Sequence, residues 1–372
     1  MSTLKDWLMD KALNTMLWRK SRPSLVRRAL AGRDFPRALR PTGGTTRVGV
    51  VQLELHFITS AAGYAQKMHE LTRQAVEGGA QLVIFPEDTG THLLGLLPGI
   101  EELAEGTFTL NEAIAQVAGQ DIRVAKVFKA VAPGARRIYE ATFSALARRF
   151  GVHIMAGSIL LPDKSGELYN VGYFYDPDGR LIGTQKKTHL FIIEKEWGLA
   201  CHDEIQVFDT PLGVIAFPIC MDHAFFEPIR VAWLQGAEVI IDPSANPAPY
   251  NYWEQMRGVW GRIQESPAYG VLCCMVGDFA GFTFRGRSGV YAPLEMTPNG
   301  DGIIAQAETV DREEILLADL DLAALRRFRQ EQKPDFNLAL YEKYLPRVYE
   351  AYRRMEVEDR RVVVHTQGGG EL

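Results

Sequence analysis

The sequence predicts one α/β domain built around a mixed β-sheet, at residues 46–322, with an extension at each end. Short apolar runs typical of buried strands alternate with amphipathic stretches of helical period, which is the pattern of a sheet covered by helices. The turn sequence Asp176-Pro177-Asp178-Gly179 lies between two such runs and indicates a hairpin, so antiparallel strands join the sheet. The 372 residues, 47% of them hydrophobic and 23% charged, provide ample material for a core.

The first half of the domain contains five predicted strands and two predicted helices. Apolar runs predict strands at residues 48–53, 82–85, 152–160, 169–175 and 181–187. Helical periodicity predicts helices at residues 64–77, which end at Gly78-Gly79, and at residues 138–150. Residues 111–133 resemble an insertion of polar and helical character.

The second half continues the alternation and then changes composition. Strands are predicted at residues 214–218, 239–241, 270–276, 288–291, 303–307 and 315–318. Helices are predicted at residues 228–235, which end before Gly236, and at residues 252–264. The C-terminal extension, residues 323–372, is rich in arginine; we expect one helix at residues 338–353 and a disordered tail at residues 365–372.

The N-terminal extension, residues 1–45, is basic and contains tryptophan. Residues 1–40 hold ten Lys/Arg and three Asp, a local charge of +7, which leaves −12 on the remainder because the whole chain carries −5. The stretch from Leu4 to Trp18 favours a helix, although its apolar residues form no single stripe. We expect this extension to pack on its own domain or on a sister subunit, or to lie on an anionic membrane surface.

Composition excludes several classes of protein. The net charge of −5 argues against a nucleic-acid binder. The four cysteines form no CxxC pair, so zinc-ribbon and thioredoxin signatures are missing. Asp6, Asp10 and Lys11 interrupt the apolar residues near the start, so we expect no signal peptide. No run reaches about 18 apolar residues, and a cytoplasmic protein with reduced thiols is expected.

Cys220 is a candidate nucleophile. It ends an apolar strand and precedes a short turn and a predicted helix, and such a turn can project a nucleophile into a pocket. A helix N-terminus or a nearby positive charge also favours a thiolate. The alternative is a small buried apolar side chain, which suits Cys201, Cys273 and Cys274.

A carboxylate and an ammonium group stand at the ends of two other strands. Glu87 follows the run 82–85, where α/β sheets bind ligands, and burial would make it a better base; Asp88 is the alternative. Lys187 ends the strand 181–187, and Lys186 is expected to point the other way because strand side chains alternate. A base, an ammonium group for a developing oxyanion and a thiol are what thiol-based acyl transfer requires. His189 is expected to be a hydrogen-bonded core residue, and a catalytic role is the alternative.

Three motifs in this order resemble the nitrilase, or carbon–nitrogen hydrolase, superfamily. Phe85-Pro86-Glu87 is similar to its Glu motif, and Lys187-Thr188-His189-Leu190 to its Lys motif. Cys220-Met221-Asp222 and the following Phe226-Glu227-Pro228-Ile229-Arg230 are similar to its Cys motif, although Met221 replaces the usual aromatic residue. Connecting segments agree, among them Leu168-Tyr169-Asn170 and Pro243-Ser244-Ala245, so that the resemblance covers roughly residues 46–320.

The resemblance implies a four-layer α-β-β-α sandwich and a Cys-Glu-Lys set formed by Cys220, Glu87 and Lys187. It also implies a second glutamate near the lysine, for which Glu194 is favoured over Glu196 by its place seven residues after Lys187. The backbone N–H of Met221 would share the oxyanion site, and neither a metal nor an organic cofactor is required.

The function implied is hydrolysis of a non-peptide carbon–nitrogen bond through a cysteine thioester, with an amide favoured over a nitrile. Alternatives are an N-acyltransferase that uses the same thioester and a non-catalytic scaffold that has kept the fold. The apolar stretches 92–98 and 191–193 suggest an apolar pocket mouth and a hydrophobic acyl substrate. The expected partners are a small amide or nitrile, a second copy of the chain in a homodimer or larger assembly, and a membrane surface contacted by residues 1–40.

Overall fold

The computed structural model describes residues 4–39, 44–100, 112, 124–332 and 337–366. The chain divides into a large unit, residues 1–328, and a small unit, residues 329–372. The small unit contains one long helix. The site described below lies entirely within the large unit.

The elements of the structure follow the predicted alternation. The helices are α1 (Leu4–Lys20), α2 (Pro23–Leu30), α3 (Ala61–Glu77), α4 (Val124–Phe150), α5 (Ile192–Trp197), α6 (Phe226–Leu234), α7 (Tyr252–Met256), α8 (Val259–Glu265), α9 (Leu322–Glu331) and α10 (Leu338–Thr366). The strands of the first half are β1 (Thr45–Glu54), β2 (Leu82–Ile84), β3 (His153–Pro162), β4 (Leu168–Tyr175) and β5 (Leu181–Lys186). The remaining strands are β6 (Phe208–Thr210), β7 (Gly213–Ala216), β8 (Val239–Ser244), β9 (Tyr269–Phe279), β10 (Phe282–Phe284), β11 (Gly289–Tyr291), β12 (Ile303–Gln306) and β13 (Glu314–Asp321).

The strands form a mixed sheet in the order β5-β4-β3-β2-β1-β9-β8-β7-β6. Strands β3, β2 and β1 are parallel, as are β9, β8 and β7. Antiparallel hairpins extend both ends, through β4 and β5 on one side and β6 on the other. The end of β1 joins the two halves, because Leu53 and Glu54 pair with Met275 and Val276 of β9.

Three apolar cores separate the large unit into four layers. Because side chains alternate along a strand, Val50 of β1 belongs to the core between the two halves of the sheet, whereas Val51 belongs to an outer core. That outer core includes Met68 of α3 and Phe143 of α4. A second outer core joins the other half to α6 and α8, with members that include Ile240, Leu272, Ile229 and Ile263. The α-β-β-α sandwich implied by the resemblance is therefore confirmed.

The N-terminal helices pack on the large unit itself. Val26 and Leu30 of α2 are buried, and the Arg149 Nη1 donates a 2.7 Å hydrogen bond to the carbonyl oxygen of Leu30. The side chain of Ser21 is also buried and accepts a 2.7 Å hydrogen bond from Arg137. Among the described residues, none of the helices combines the length and the apolar character needed to cross a bilayer.

Three predicted elements differ from the structure. The single helix at residues 252–264 is wrong, because the chain leaves helical geometry at Gly258 (φ −73°, ψ −134°) and forms α7 and α8. The predicted helix at residues 138–150 begins earlier, because α4 starts at Val124 and carries Pro133 on its exposed side. The helical character expected of residues 111–133 is therefore present at residues 124–133, and residues 111 and 113–123 lie outside the described residues. Helix α10 extends beyond residue 353 to Thr366, so the expected disordered tail is wrong for residues 365 and 366, and residues 367–372 are not described.

Candidate active site

Glu87 lies just beyond the carboxyl end of β2. Its side chain is buried, with 2% of the residue exposed. The backbone N–H of Ala245, which follows β8 in the other half of the sheet, donates a 2.9 Å hydrogen bond to Glu87 Oε2. This bond fixes the carboxylate at the junction between the two halves.

Lys187 follows β5, and its ammonium group lies between two carboxylates. Lys187 Nζ is 2.7 Å from Glu87 Oε1 and 2.6 Å from Glu194 Oε2, and the lysine is 2% exposed. The Asn170 amide donates to Glu87 Oε1 at 2.8 Å and to Glu194 Oε1 at 3.1 Å, so it holds both acids beside the lysine. Lys186 is half-buried and lies over the Tyr169 ring, away from this cluster.

Cys220 opens a 3₁₀ turn at residues 220–224 that follows β7 and precedes α6. Its backbone φ is +47°, a left-handed conformation that is strained for a non-glycine residue and that is found at functional turns. The Ser244 hydroxyl donates to Cys220 Sγ at 3.3 Å, and the charges of Glu87 and Lys187 act on the pKa of this thiol in opposite directions. The cysteine is partly exposed and lines a cavity.

Asp222 connects the cysteine turn to the lysine segment. Its buried carboxylate accepts hydrogen bonds from the backbone N–H groups of Ile219 (2.8 Å), Thr188 (3.1 Å) and His189 (2.6 Å). The Thr188 hydroxyl donates at 2.7 Å. Because each partner belongs to one of the two segments, Asp222 fixes the spacing between Lys187 and Cys220.

Burial dominates the electrostatics of this cluster. It raises the pKa of Glu87, and the charge of Lys187 acts in the opposite direction. Burial, followed by the charge of Glu87, raises the pKa of the Cys220 thiol well above its usual value, so the resting thiol is protonated. Burial alone would lower the pKa of Lys187, but the charges of Glu87 and Glu194 outweigh it and hold that pKa well above normal.

The positions of the remaining candidate residues in the structure show which of them contact the cluster of Glu87 and Lys187. Glu194 contacts Lys187, whereas Glu196 is exposed. Asp88 lies next to Glu87, but its carboxylate faces the Thr91 hydroxyl at 3.3 Å, and burial raises its pKa to about 8. The half-buried His189 ring lies 3.1 Å from Asp222 Oδ1 and stacks on Phe225.

The cavity beside Cys220 has a volume of about 190 Å³, and its lining combines polar side chains with apolar ones. Its lining residues include Met221, Ser244, Asn246, Asn251, Glu254, Gln255 and Arg285. Phe191 also lines it, but the expected apolar mouth at residues 92–98 is wrong, because residues 92–96 are buried in the core. Within the described ranges, no group of three or more His, Cys, Asp or Glu residues is placed to hold a metal ion.

Several residues at the site carry no sequence pattern of their own that would mark them as functional. Asn170 and Ser244 appear in the sequence only as members of segments that resemble the family, and Asp242 at the end of β8 had no assigned role. Cys274 was taken for a small buried residue, and it is buried, yet it also contributes to the cavity lining. Cys201 is exposed and Cys273 is buried.

The four-layer fold, with a carboxylate, a lysine and a cysteine brought together at the ends of its strands, defines a nitrilase-type hydrolase. The protein belongs to the carbon–nitrogen hydrolase family, whose model matches residues 47–330.

Three relatives illustrate this membership. The chain is 30% identical over 287 residues to a nitrilase of Pyrococcus abyssi (strain GE5 / Orsay), which covers 76% of this chain and 92% of that protein. It is 25% identical over 299 residues to omega-amidase NIT2 of Danio rerio (77% and 91% covered). It is 28% identical over 289 residues to the probable hydrolase YhcX of Bacillus subtilis (strain 168), with 76% of this chain covered but 51% of YhcX, so the chain spans about half the length of that relative.

Solved structures show the same fold. A mutant of the amidase from Nesterenkonia sp. AN1 superposes with a TM-score of 0.60 at 18% identity, covering 82% of this chain and 100% of that one. A carbon–nitrogen hydrolase from Helicobacter pylori G27 gives a TM-score of 0.60 at 22% identity, covering 81% and 98%.

Proposed function

We propose that this protein is an amidase that hydrolyses a small carboxamide through a thioester on Cys220. The observation that carries the proposal is the convergence of Glu87 and Lys187 on a partly exposed thiol at a cavity. A base, a nucleophile and a fixed cation are then already assembled before substrate binds.

In the first step, Glu87 takes the proton of the Cys220 thiol as sulfur attacks the amide carbon. The proton stays on sulfur until that moment, because the raised thiol pKa disfavours a free thiolate. The carbonyl oxygen becomes negative and is held by the Lys187 ammonium and by the backbone N–H of Met221, in the first turn of the 3₁₀ segment. Glu194 and Asn170 keep the ammonium in place.

In the second step, the carbon–nitrogen bond breaks and Glu87 returns its proton to the departing nitrogen. Ammonia or an amine leaves, and the acyl group remains on sulfur. Glu87 then removes a proton from water as the water oxygen attacks the thioester carbon; the carbon–sulfur bond breaks, Glu87 gives the proton to the Cys220 sulfur, and the carboxylic acid leaves. The buried environment of Glu87 raises its pKa and suits it to alternate between base and acid.

The cavity favours a short acyl group. A volume of about 190 Å³ corresponds to about six water molecules, and the wall combines charged and amide side chains with apolar ones such as Leu272 and Met275. Amide cleavage is also supported by relatives named omega-amidases. A mutant of the amidase from Nesterenkonia sp. AN1 shows covalent addition of the acetamide moiety of fluoroacetamide at its active-site cysteine, which supports a reactive cysteine at this position of the fold.

The test is detection of the acyl-enzyme by intact-mass spectrometry. The full chain is incubated with propionamide, propionitrile and their homologues, quenched in acid and weighed. We expect adducts on the native protein and on the Cys201→Ala control, whose cysteine is exposed, and none on Cys220→Ala. Adducts or turnover that persist in Cys220→Ala would refute the mechanism, whereas a native chain with neither adduct nor turnover on any of these substrates would favour the scaffold alternative.

Product analysis in the presence of a competing amine distinguishes hydrolysis from N-acyl transfer, because both consume the same thioester. Self-association, peripheral membrane contact by residues 1–40 and a cytoplasmic location stay predictions. Mass in solution and co-sedimentation with anionic and neutral vesicles test the first two.

A further inference from the structure

Asp242 is a buried acid at the cavity with no role in the steps above. It lies on β8 two residues before Ser244, so both side chains lie on the same face of the sheet. Ser244 contacts the Cys220 sulfur, and all three residues line the cavity. Asp242 is 4% exposed, and no cation lies against it among the ion pairs of the described residues.

One oxygen of this acid lacks a partner. Within the described part of the chain, Asp242 Oδ1 is buried and makes no hydrogen bond. The other oxygen, Oδ2, faces His223 Nδ1 at 3.8 Å. His223 uses its other ring nitrogen, Nε2, to hydrogen-bond the carbonyl oxygen of Pro218 at 2.9 Å, so Nε2 carries the proton and Nδ1 is an acceptor.

The arrangement is consistent with a neutral acid beside a neutral imidazole. Burial, then the charges of Glu87 and Asp222, raises the pKa of Asp242 well above its usual value. Burial lowers the pKa of His223 to about 4. The 3.8 Å between Oδ2 and His223 Nδ1 is too long for a hydrogen bond, and Oδ1 is an acceptor without a donor.

The carboxylate oxygens of the Glu87–Glu194 cluster already have donors. Glu87 Oε1 accepts from Asn170 and Lys187, and Glu87 Oε2 accepts from the Ala245 N–H. Glu194 accepts from Lys187, from Asn170 and from the Phe191 N–H. Among the described residues, Asn170 Oδ1 and Asp242 Oδ1 are both buried acceptors without a partner, and of these two residues Asp242 is the one that lines the cavity.

We infer that Asp242 is a specificity-determining residue whose Oδ1 accepts an N–H of the substrate's carboxamide nitrogen. The inference rests on the proposed function and specifies its substrate class: amides that carry at least one N–H, in preference to nitriles and esters, which have none. A substrate without an N–H leaves this buried oxygen unpaired, and a site built to hydrogen-bond a substrate group discriminates against analogues that lack it.

The experiment compares an amide and an ester of one acid. Acylation is measured as kcat/KM with propionamide and with p-nitrophenyl propionate, for the native chain and for Asp242→Leu, Asp242→Asn and Glu254→Gln. We expect Asp242→Leu to lose about 10- to 100-fold on the amide while its ester activity changes less than about threefold. Asp242→Asn keeps an oxygen acceptor and should restore amide activity to within about fivefold.

The control Glu254→Gln alters another acid of the cavity wall, which pairs with Arg257, and should leave the amide-to-ester ratio unchanged. An unchanged ratio in Asp242→Leu, including an equal loss of both activities, overturns the inference. Failure of the native chain to cleave any amide, with no adduct on Cys220, would instead refute the proposed function.

Discussion

Replacing Lys187 by methionine keeps most of the side-chain volume and removes the charge. In the structure this ammonium lies 2.7 Å from Glu87 and 2.6 Å from Glu194, with all three groups buried. Removing one partner of a buried ion pair costs about 3–5 kcal/mol of unfolding free energy, because the charge left behind has no compensation. Removing an oxyanion donor costs about 100- to 1000-fold in kcat.

The loss of stability should depend on pH with a definite sign. Burial raises the pKa of Glu87 and Lys187 opposes it, so the substitution raises that pKa further. When the pKa of Glu87 is higher in the folded state than in the unfolded state, the folded protein binds the proton more tightly, and its stability falls as pH rises from the unfolded-state pKa to the folded-state pKa. The loss of unfolding free energy in Lys187→Met should therefore be larger at pH 7.5 than at pH 5.5, by about 1.4 kcal/mol for each pH unit that lies between these two pKa values.

The assay is urea unfolding of the native chain and of Lys187→Met at both pH values, together with kcat on propionamide. Lys186→Met is the matched control: its half-exposed ammonium lies 4.0 Å from Asp163, and the loss should stay below about 1 kcal/mol. If Lys187→Met is equally destabilised at pH 5.5 and 7.5, or retains native kcat, the reasoning about the buried pair is wrong.

Two further substitutions test the surroundings of the site. Glu194→Gln removes a charge that contacts Lys187 and should lower kcat about 10- to 100-fold. The control Glu196→Gln alters an exposed side chain and should leave kcat unchanged. Equal effects of the two substitutions on kcat would contradict the assignment of Glu194. Gly157→Ala places a Cβ 2.0 Å from the Pro86 carbonyl oxygen at φ +73°, so we expect a loss of at least about 3 kcal/mol in urea unfolding. Gly166→Ala, at φ +85° with open space around it, should cost about 1–2 kcal/mol, and a similar loss in both variants would show that the steric contact is unimportant.

The sequence indicated the three central residues because each stands at the end of an apolar run. Strand ends are visible as local patterns, so the positions of Glu87, Lys187 and Cys220 followed from periodicity and from motifs in a fixed order. The division of the single predicted helix at residues 252–264 was not visible. Its sequence has helical propensity, and the break at Gly258 occurs where the backbone passes close to Asp242.

Local sequence patterns were sufficient to establish the alternation of strands and helices, the family resemblance and the chemical types of side chain available at the site. Which of these side chains meet depends on how the chain packs in three dimensions. Glu87 and Lys187 follow β2 and β5 of one half of the sheet, Cys220 follows β7 of the other, and contact requires the two halves to pack face to face. The unpaired oxygen of Asp242 likewise results from tertiary packing and could not be predicted from the local sequence. A carboxylate at a strand end is usually solvated, and only the packing of β8 beneath the cavity removes it from water.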